Sequence, residues 1–336
     1  MNKRALIDKI IAHLAAEREL ATKAARAAHA ESTHEQSKAD NKYDTRGLEA
    51  SYLAHGQAQQ AAEIGEAILR FESLAVRSLG PQESGDLGAL ANDVAFLPTS
   101  AACGKIRGDF LNLTALLCGN RFGRGLVRPG GCRQELGSER ASRLLERLRI
   151  ALAELDQAAG WLWDASSVRA RFEGTGIVSD EQANEIGLVG PAARASGLVR
   201  DVRYDHPAGW HRFAQVPVAV WPGGDVFARA RVRWLETQRS GKFLEEQIAA
   251  PPDGPLRAEV GPSAANSLAV ALVEGWRGET CHVALTDASG KFRRYKIVDP
   301  SFHNWTGLAL ALRGQAISDF PLCNKSFDLS YCGFDL

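Results

Sequence analysis

The chain has 336 residues, of which 45% are hydrophobic, and 40 basic residues balance 40 acidic ones. That length suits two domains or one large one with a sizeable core. The charge balance gives no bulk attraction to nucleic acid or to an anionic bilayer. No apolar run approaches the ~18 residues of a membrane span, and Met1-Asn2-Lys3-Arg4 opens no secretory signal. The reading is cytoplasmic, peripheral on an inner membrane only through partners.

In chain order, residues 1–82 have their own texture. Leu6, Ile10, Leu14, Ala21, Ala24 and Ala28 recur at helical spacing. After a polar stretch, Ala61, Ile64, Ile68 and Phe71 recur again. Two helices joined by a polar tip predict an antiparallel hairpin over 1–82. Gly80-Pro81 and Gly85 mark the junction to a second domain, 85–336.

Beyond it, 86–125 reads as loop plus an apolar helix through Phe110, Leu113 and Leu117, ending near Gly119. Arg128-Pro129-Gly130-Gly131 is a turn. Leu145, Leu148, Leu152, Leu155 and Leu162 predict the strongest helix, about 138–170. Ser179 to Gln182 is a capping box opening a short helix that Gly187 stops. Another helix spans Asp225–Ile248. Alternating segments 279–286 and 291–298 flank Asp287-Ala288-Ser289-Gly290, a β-hairpin signal. A last helix follows Trp305 and fades at Gly314. The expected class is mainly α with minor antiparallel β.

The chemistry-bearing patterns are mostly absent. Cys103, Cys118, Cys132, Cys281, Cys323 and Cys332 form no C-x-x-C pair, so they read as thiols rather than metal ligands. The histidines lack metal spacing, and no Gly-x-Ser-x-Gly elbow or Gly-x-Gly-x-x-Gly fingerprint occurs. What remains is charge. Arg194, Arg203, Arg229 and Arg277 can fork bidentately to carboxylates, with Asp201, Asp225, Glu236 and Glu279 as expected partners. Such a set either knits helices together or tunes an electron or proton path beside a buried cavity.

An ordered series of motifs gives the rear of the chain a resemblance. It comprises Gly85-Asp86-Leu87-Gly88-Ala89-Leu90, Gly119-Asn120-Arg121-Phe122, Arg128-Pro129-Gly130-Gly131, Gly190-Pro191-Ala192-Ala193-Arg194-Ala195-Ser196-Gly197 and Asp201-Val202-Arg203. Gly224-Asp225 through Glu236, Arg277-Gly278-Glu279 and Tyr295 to Phe302 come after them. Over 85–336 this resembles the large subunit of nickel–iron hydrogenases and the 49 kDa subunit of NADH–quinone oxidoreductase, with the hydrogenase-4 type nearest in flavour. The resemblance implies an oxidoreductase assembly working with NAD, a quinone, a nickel–iron centre and iron–sulfur clusters. Its implied partners are an iron–sulfur small subunit and membrane subunits. It also implies four metal-binding thiolates. Ser330 and Gly333 stand where the terminal two belong, and the early pair has no counterpart. No cofactor is therefore expected on this chain itself, and independent catalysis is not expected.

The front of the chain resembles something else. Lys38 to Leu53 is similar to the coiled-coil arm of Gre-type transcription elongation factors, which implies RNA polymerase as partner and magnesium held by Asp40 and Asp44 at the tip. A solvated polar turn explains the same residues. Three readings are open: a subunit of an electron-transfer complex, a polymerase-binding factor, or an inactive natural fusion of two fragments.

Overall fold

A computed structural model describes residues 81–207, 211, 216–251 and 255–334, with six positions between Glu19 and Ala30. Two compact units divide the chain: Met1–Leu74 with Pro252–Ala258, and Ala75–Pro251 with Glu259–Leu336. The predicted hairpin lies outside the described residues apart from those six helical positions. The second unit is mainly helical with minor antiparallel sheet.

Its core is built by four helices: α1 (Pro81–Asp93), α2 (Leu97–Cys118), α3 (Ser138–Asp164) and α8 (Val226–Ala249). In α3, Ala141, Leu144, Leu148, Ala151, Leu155, Ala158 and Leu162 are all buried. Their alternating spacing of three and four keeps one stripe facing neighbours over the helix's full length. That stripe packs with Leu87 and Leu90 of α1, Ile106 and Phe110 of α2, and Val226 and Leu244 of α8. At Gly88 a Cβ would lie 2.9 Å from Cys103 Cβ, so the absent side chain lets α1 and α2 close up. Thr99 donates to the carbonyl of Ala158 at 2.7 Å, tying α2 to α3 inside the core.

Boundaries differ from the sequence reading in three places. The stretch after Gly85 is helix α1 rather than loop; Pro81 sits in its first turn, where a missing N–H costs nothing. The long helix stops at Asp164, because Ala165 is extended, and Val168 and Phe172 anchor a separate α4 (Ser166–Phe172). The helix placed after Trp305 begins five residues earlier, as α9 (Pro300–Ala311), capped by Asp299. Elsewhere the signals hold. Gly119 ends α2 in the left-handed conformation, and Ser179 and Gln182 form the reciprocal capping box of α5 (Asp180–Glu185).

Short elements surround the bundle: the β1 (Val127–Arg128) and β2 (Gly131–Cys132) ribbon, α6 (Gly190–Ala195), α7 (Val202–Asp205), α10 (Phe320–Phe327) and α11 (Tyr331–Phe334). One antiparallel sheet orders β3 (Leu268–Gly275), β4 (Gly278–Thr286) and β5 (Phe292–Val298) side by side. The β4–β5 hairpin is the predicted one; β3, apolar on both faces from Leu268 to Val273, adds a strand to the sequence expectation. No helix among the described residues is long and apolar enough to cross a membrane.

Candidate functional site

Three elements bring one buried arginine to the middle of the charge network. Pro191 starts α6, and Gly190 before it holds φ +65° with its backbone pressed on the β3–β4 turn. A Cβ at Gly190 would sit 2.3 Å from Gly278 Cα, so only glycine permits this approach. The approach sets Arg194 against the sheet. Its Nη2 lies 2.6 Å from Glu236 of α8, and its Nη1 lies 2.9 Å from Glu274 of β3 and 3.5 Å from Asp201. The guanidinium also donates to the Arg200 carbonyl at 2.8 Å. Arg203 completes the cluster by forking onto Asp201, with Nε at 2.8 Å and Nη2 at 2.5 Å.

Two arginines thus face three carboxylates in a desolvated place. Burial alone would loosen the proton on Arg194, but Glu236, Glu274 and Asp201 outweigh it and hold the guanidinium charged. Burial also acts against the Asp201 carboxylate, yet the forked Arg203 and nearby Arg194 win and keep its pKa below the ordinary range. For Glu274 the balance reverses: burial raises its pKa despite Arg194.

A second cluster centres on Asp86 and Asp328. Arg233 Nε is 2.9 Å from Asp86 Oδ2, and its Nη atoms donate to the carbonyls of Ser326 and Phe327. Arg277 stacks on Trp276, pairs with Asp328 at 3.1 Å and donates to the Asp328 carbonyl. Trp276 Nε1 donates to the same carboxylate. Burial pushes Asp86 up to about 7 although Arg233 opposes it. Glu83, three residues earlier on α1, is also raised to about 7 by burial, with Glu236 adding to the push. A cavity of about 400 Å³ runs between the two clusters, lined by Glu83, Arg203, His211, Glu236, Phe243 and Trp276.

Two of the expected carboxylate partners, Asp225 and Glu279, form no ion pair with these arginines among the described residues. Arg229 has no carboxylate within 4.0 Å among the described residues. Its guanidinium donates instead to Ser326 Oγ and to the carbonyls of Gly224 and Gly176, with Phe327 beneath it. Asp225 is engaged elsewhere, because it caps α8 through the Ala228 N–H and accepts from Gly174 N–H. Arg277 pairs with Asp328, not Glu279. Glu279 sits opposite Glu274 on the sheet and lines a separate cavity with His206 and His303. Sequence reasoning missed Glu274, Glu83 and Asp328, and missed Asp86 as a charge partner. One signal was available: Arg229, Arg233 and Glu236 recur at four and three along α8, a polar stripe on an otherwise core-facing side.

The nickel–iron centre that the sequence resemblance implies would need thiolates at the terminal corner, where Ser330 and Gly333 stand. Ser330 Oγ accepts the Gly333 N–H at 2.9 Å, and Ser330 N–H donates to Ser301 Oγ. At Gly333 a Cβ would lie 2.5 Å from Cγ of Asp299, the carboxylate that caps α9. A thiolate at 333 has no room without moving that cap. The exposed Cys332 is one residue away. Asp40 and Asp44 lie outside the described residues.

The geometry agrees with what the chain is similar to. The family described as the respiratory-chain NADH dehydrogenase 49 Kd subunit matches residues 93–269. The carbon monoxide-induced hydrogenase of Rhodospirillum rubrum is 30% identical over 62% of this chain and 58% of its own length. Hydrogenase-4 component G of Escherichia coli is 30% identical over 68% of this chain and 38% of its own. NADH-quinone oxidoreductase subunit 4 of Thermus thermophilus is 25% identical over 66% and 61% respectively. This chain thus covers roughly two fifths to three fifths of the length of these relatives. Among solved structures, a chain of the membrane-bound sulfane sulfur reductase, an archaeal respiratory membrane complex, superposes with a TM-score of 0.69. At 22% identity, over 82% of this chain and 74% of that one, it shows a common fold. These relatives lend no support to a transcription-factor arm at the front. By its match over residues 93–269, the chain belongs to the 49 kDa subunit family of respiratory NADH dehydrogenases, within the hydrogenase large-subunit superfamily.

Proposed function

We propose that the chain is a subunit of a membrane-associated, hydrogenase-like or complex I-like electron-transfer assembly, and that it serves there without a nickel–iron site of its own. The observation that carries this reading is a buried charge network beside a terminal corner that carries no thiolate at 330 or 333. Arg194, Arg203 and Arg233 pair with Asp86, Asp201, Glu236 and Glu274, and of these Arg203, Glu236 and Glu274 line the cavity. At the terminal corner, Ser330 and Gly333 supply no thiolate, and Asp299 fills the space of one. The relatives include hydrogenase and NADH–quinone oxidoreductase subunits, which supports partners of the same kind: an iron–sulfur subunit and membrane subunits. The charge network holds α6, α8 and the sheet in register beside the cavity. Carboxylates there with pKa values near 7 can hold protons while electrons move through partner clusters. Quinone and NAD chemistry belongs to the assembly in this reading, not to groups bound by this chain.

The test is isolation of the tagged chain from membranes of its own cells in mild detergent. Iron–sulfur and membrane subunits of a hydrogenase or complex I type are expected in fixed ratio. Recovery of the chain without them overturns the reading.

A further inference from the structure

Among the described residues, the sheet β3–β4–β5 meets helices α6, α7 and α9 near Glu274–Gly278, while the 263–267 segment hydrogen-bonds its other end. Glu274 and Gly278 are buried against α6, whereas the outer halves of β3 and β5 are exposed on both faces. The register lays Leu268 opposite Leu285, Val270 opposite Val283 and Leu272 opposite Cys281 on one face. β5 continues that face with Arg294 beside Leu285 and Lys296 beside Val283. Leu268 is 64% exposed and Val270 59%. Three strands normally hold together by packing one face, and adjoining aliphatic pairs left in water mark a contact surface.

Charge says what covers it. Residues 268–273, 280–286 and 291–298 contain no aspartate or glutamate, yet they include Lys291, Arg293, Arg294 and Lys296. Among the described residues, no carboxylate lies within 4.0 Å of Lys291, Arg293 or Arg294. The nearby Asp287 is engaged by Ser289 and by the Lys291 N–H. The sheet also argues for a protein rather than a bilayer. Its aromatic group, Phe292 and His282 packed on Tyr295, lies on the face opposite Arg294 and Lys296. The aromatic and basic side chains that anchor together at a bilayer interface thus face opposite ways here.

We propose that the Leu268–Val270–Val283–Leu285 face is the seat of a neighbouring protein subunit whose contact surface is apolar at its centre and carboxylate-rich where it meets Arg294. This rests on the assembly reading above. The occupant is a protein with that surface chemistry; charge steers it to the basic strand and aliphatic burial holds it there.

The test uses the full chain in its own cells, with photoreactive benzoylphenylalanine at position 270 and, as control, at the exposed position 150 of α3. The expected result is one crosslinked subunit from 270 alone, attached through a segment containing Asp or Glu. Arg294→Glu should cut that crosslink at least tenfold, and reversing the mapped carboxylate to lysine should restore it. Equal crosslinking from 150, attachment only to lipid or to a second copy, or indifference to Arg294→Glu overturns the proposal. If assembly subunits co-isolate with the chain but none attaches at 270, this proposal falls and the assembly reading stands. If no subunit co-isolates, the assembly reading falls as well.

Discussion

Arg194 has no exposed surface and serves three carboxylates at once, so its removal leaves buried charges without a partner. Breaking such a cluster costs about 3–5 kcal/mol. Arg194→Leu should lose stability on that order, read by denaturant unfolding of the full chain, and the loss should depend on pH in a definite direction. Without the guanidinium, Glu274, which burial already raises against the opposing charge of Arg194, binds its proton more tightly in the fold than in the unfolded chain. The defect is then smallest at acid pH, where Glu274 is protonated, and grows as pH rises; a pH-independent defect contradicts this. Glu83 gives the complementary case. Its folded pKa is raised from 4.5 to about 7, so its contribution to stability is present below about pH 4.5 and is lost as pH rises to 7. Glu83→Gln should therefore be more stable than the parent at pH 8, by on the order of 2–3 kcal/mol, and close to it at pH 4. Identical stability curves for the two proteins would refute the shift. The legible part of this site follows from sequence distance. Asp201 and Arg203 are close neighbours, and Glu236 shares a helix face with two arginines. Glu274 and Asp328 reach the site only through the β3–β4 turn and the left-handed residue after α10, neither of which composition or spacing reveals.

Elements carry the next layer. The long helices are readable because their burial stripes repeat at three and four, and the β4–β5 hairpin because Asp287 to Gly290 separates two alternating runs. β3 is not readable in the same way: its residues are apolar on both faces, so alternation is lost, and its pairing to β4 depends on a turn made by Trp276 and Arg277. Gly190 is where α6 and the sheet become one body. Gly190→Ala adds a Cβ where the Gly278 backbone stands and forces an alanine to φ +65°. Strain and overlap together predict a loss of about 3 kcal/mol or more, with Arg194 displaced; a thermal melt shifted by less than a degree would contradict it. Asp225 is a cap rather than a salt-bridge partner. Asp225→Ala should cost about 1–2 kcal/mol, while Arg229→Lys should be the more damaging of the two. Three separate acceptors hold that guanidinium fork, which an ammonium does not reproduce. The reverse order in unfolding experiments would show that the pair acts across α8 after all.

At the scale of the whole molecule, the chain keeps the fold of a family whose relatives are longer than the part it matches. The motif series over 85–336 made that membership legible, because glycine turns and arginines recur in a fixed order. What it could not convey is how the terminal corner closes without cysteines at 330 and 333. The structure supplies a steric reason: Asp299 caps α9 and occupies the place of a side chain at 333, while Ser330 hydrogen-bonds the Gly333 backbone. Metal analysis decides whether this chain works without a nickel–iron site, as proposed. The full chain is isolated anaerobically from cells that mature nickel–iron enzymes, and nickel is measured per polypeptide. Nickel is expected at background, far below one per chain; stoichiometric nickel that survives chelator washing would contradict the proposed absence of a site.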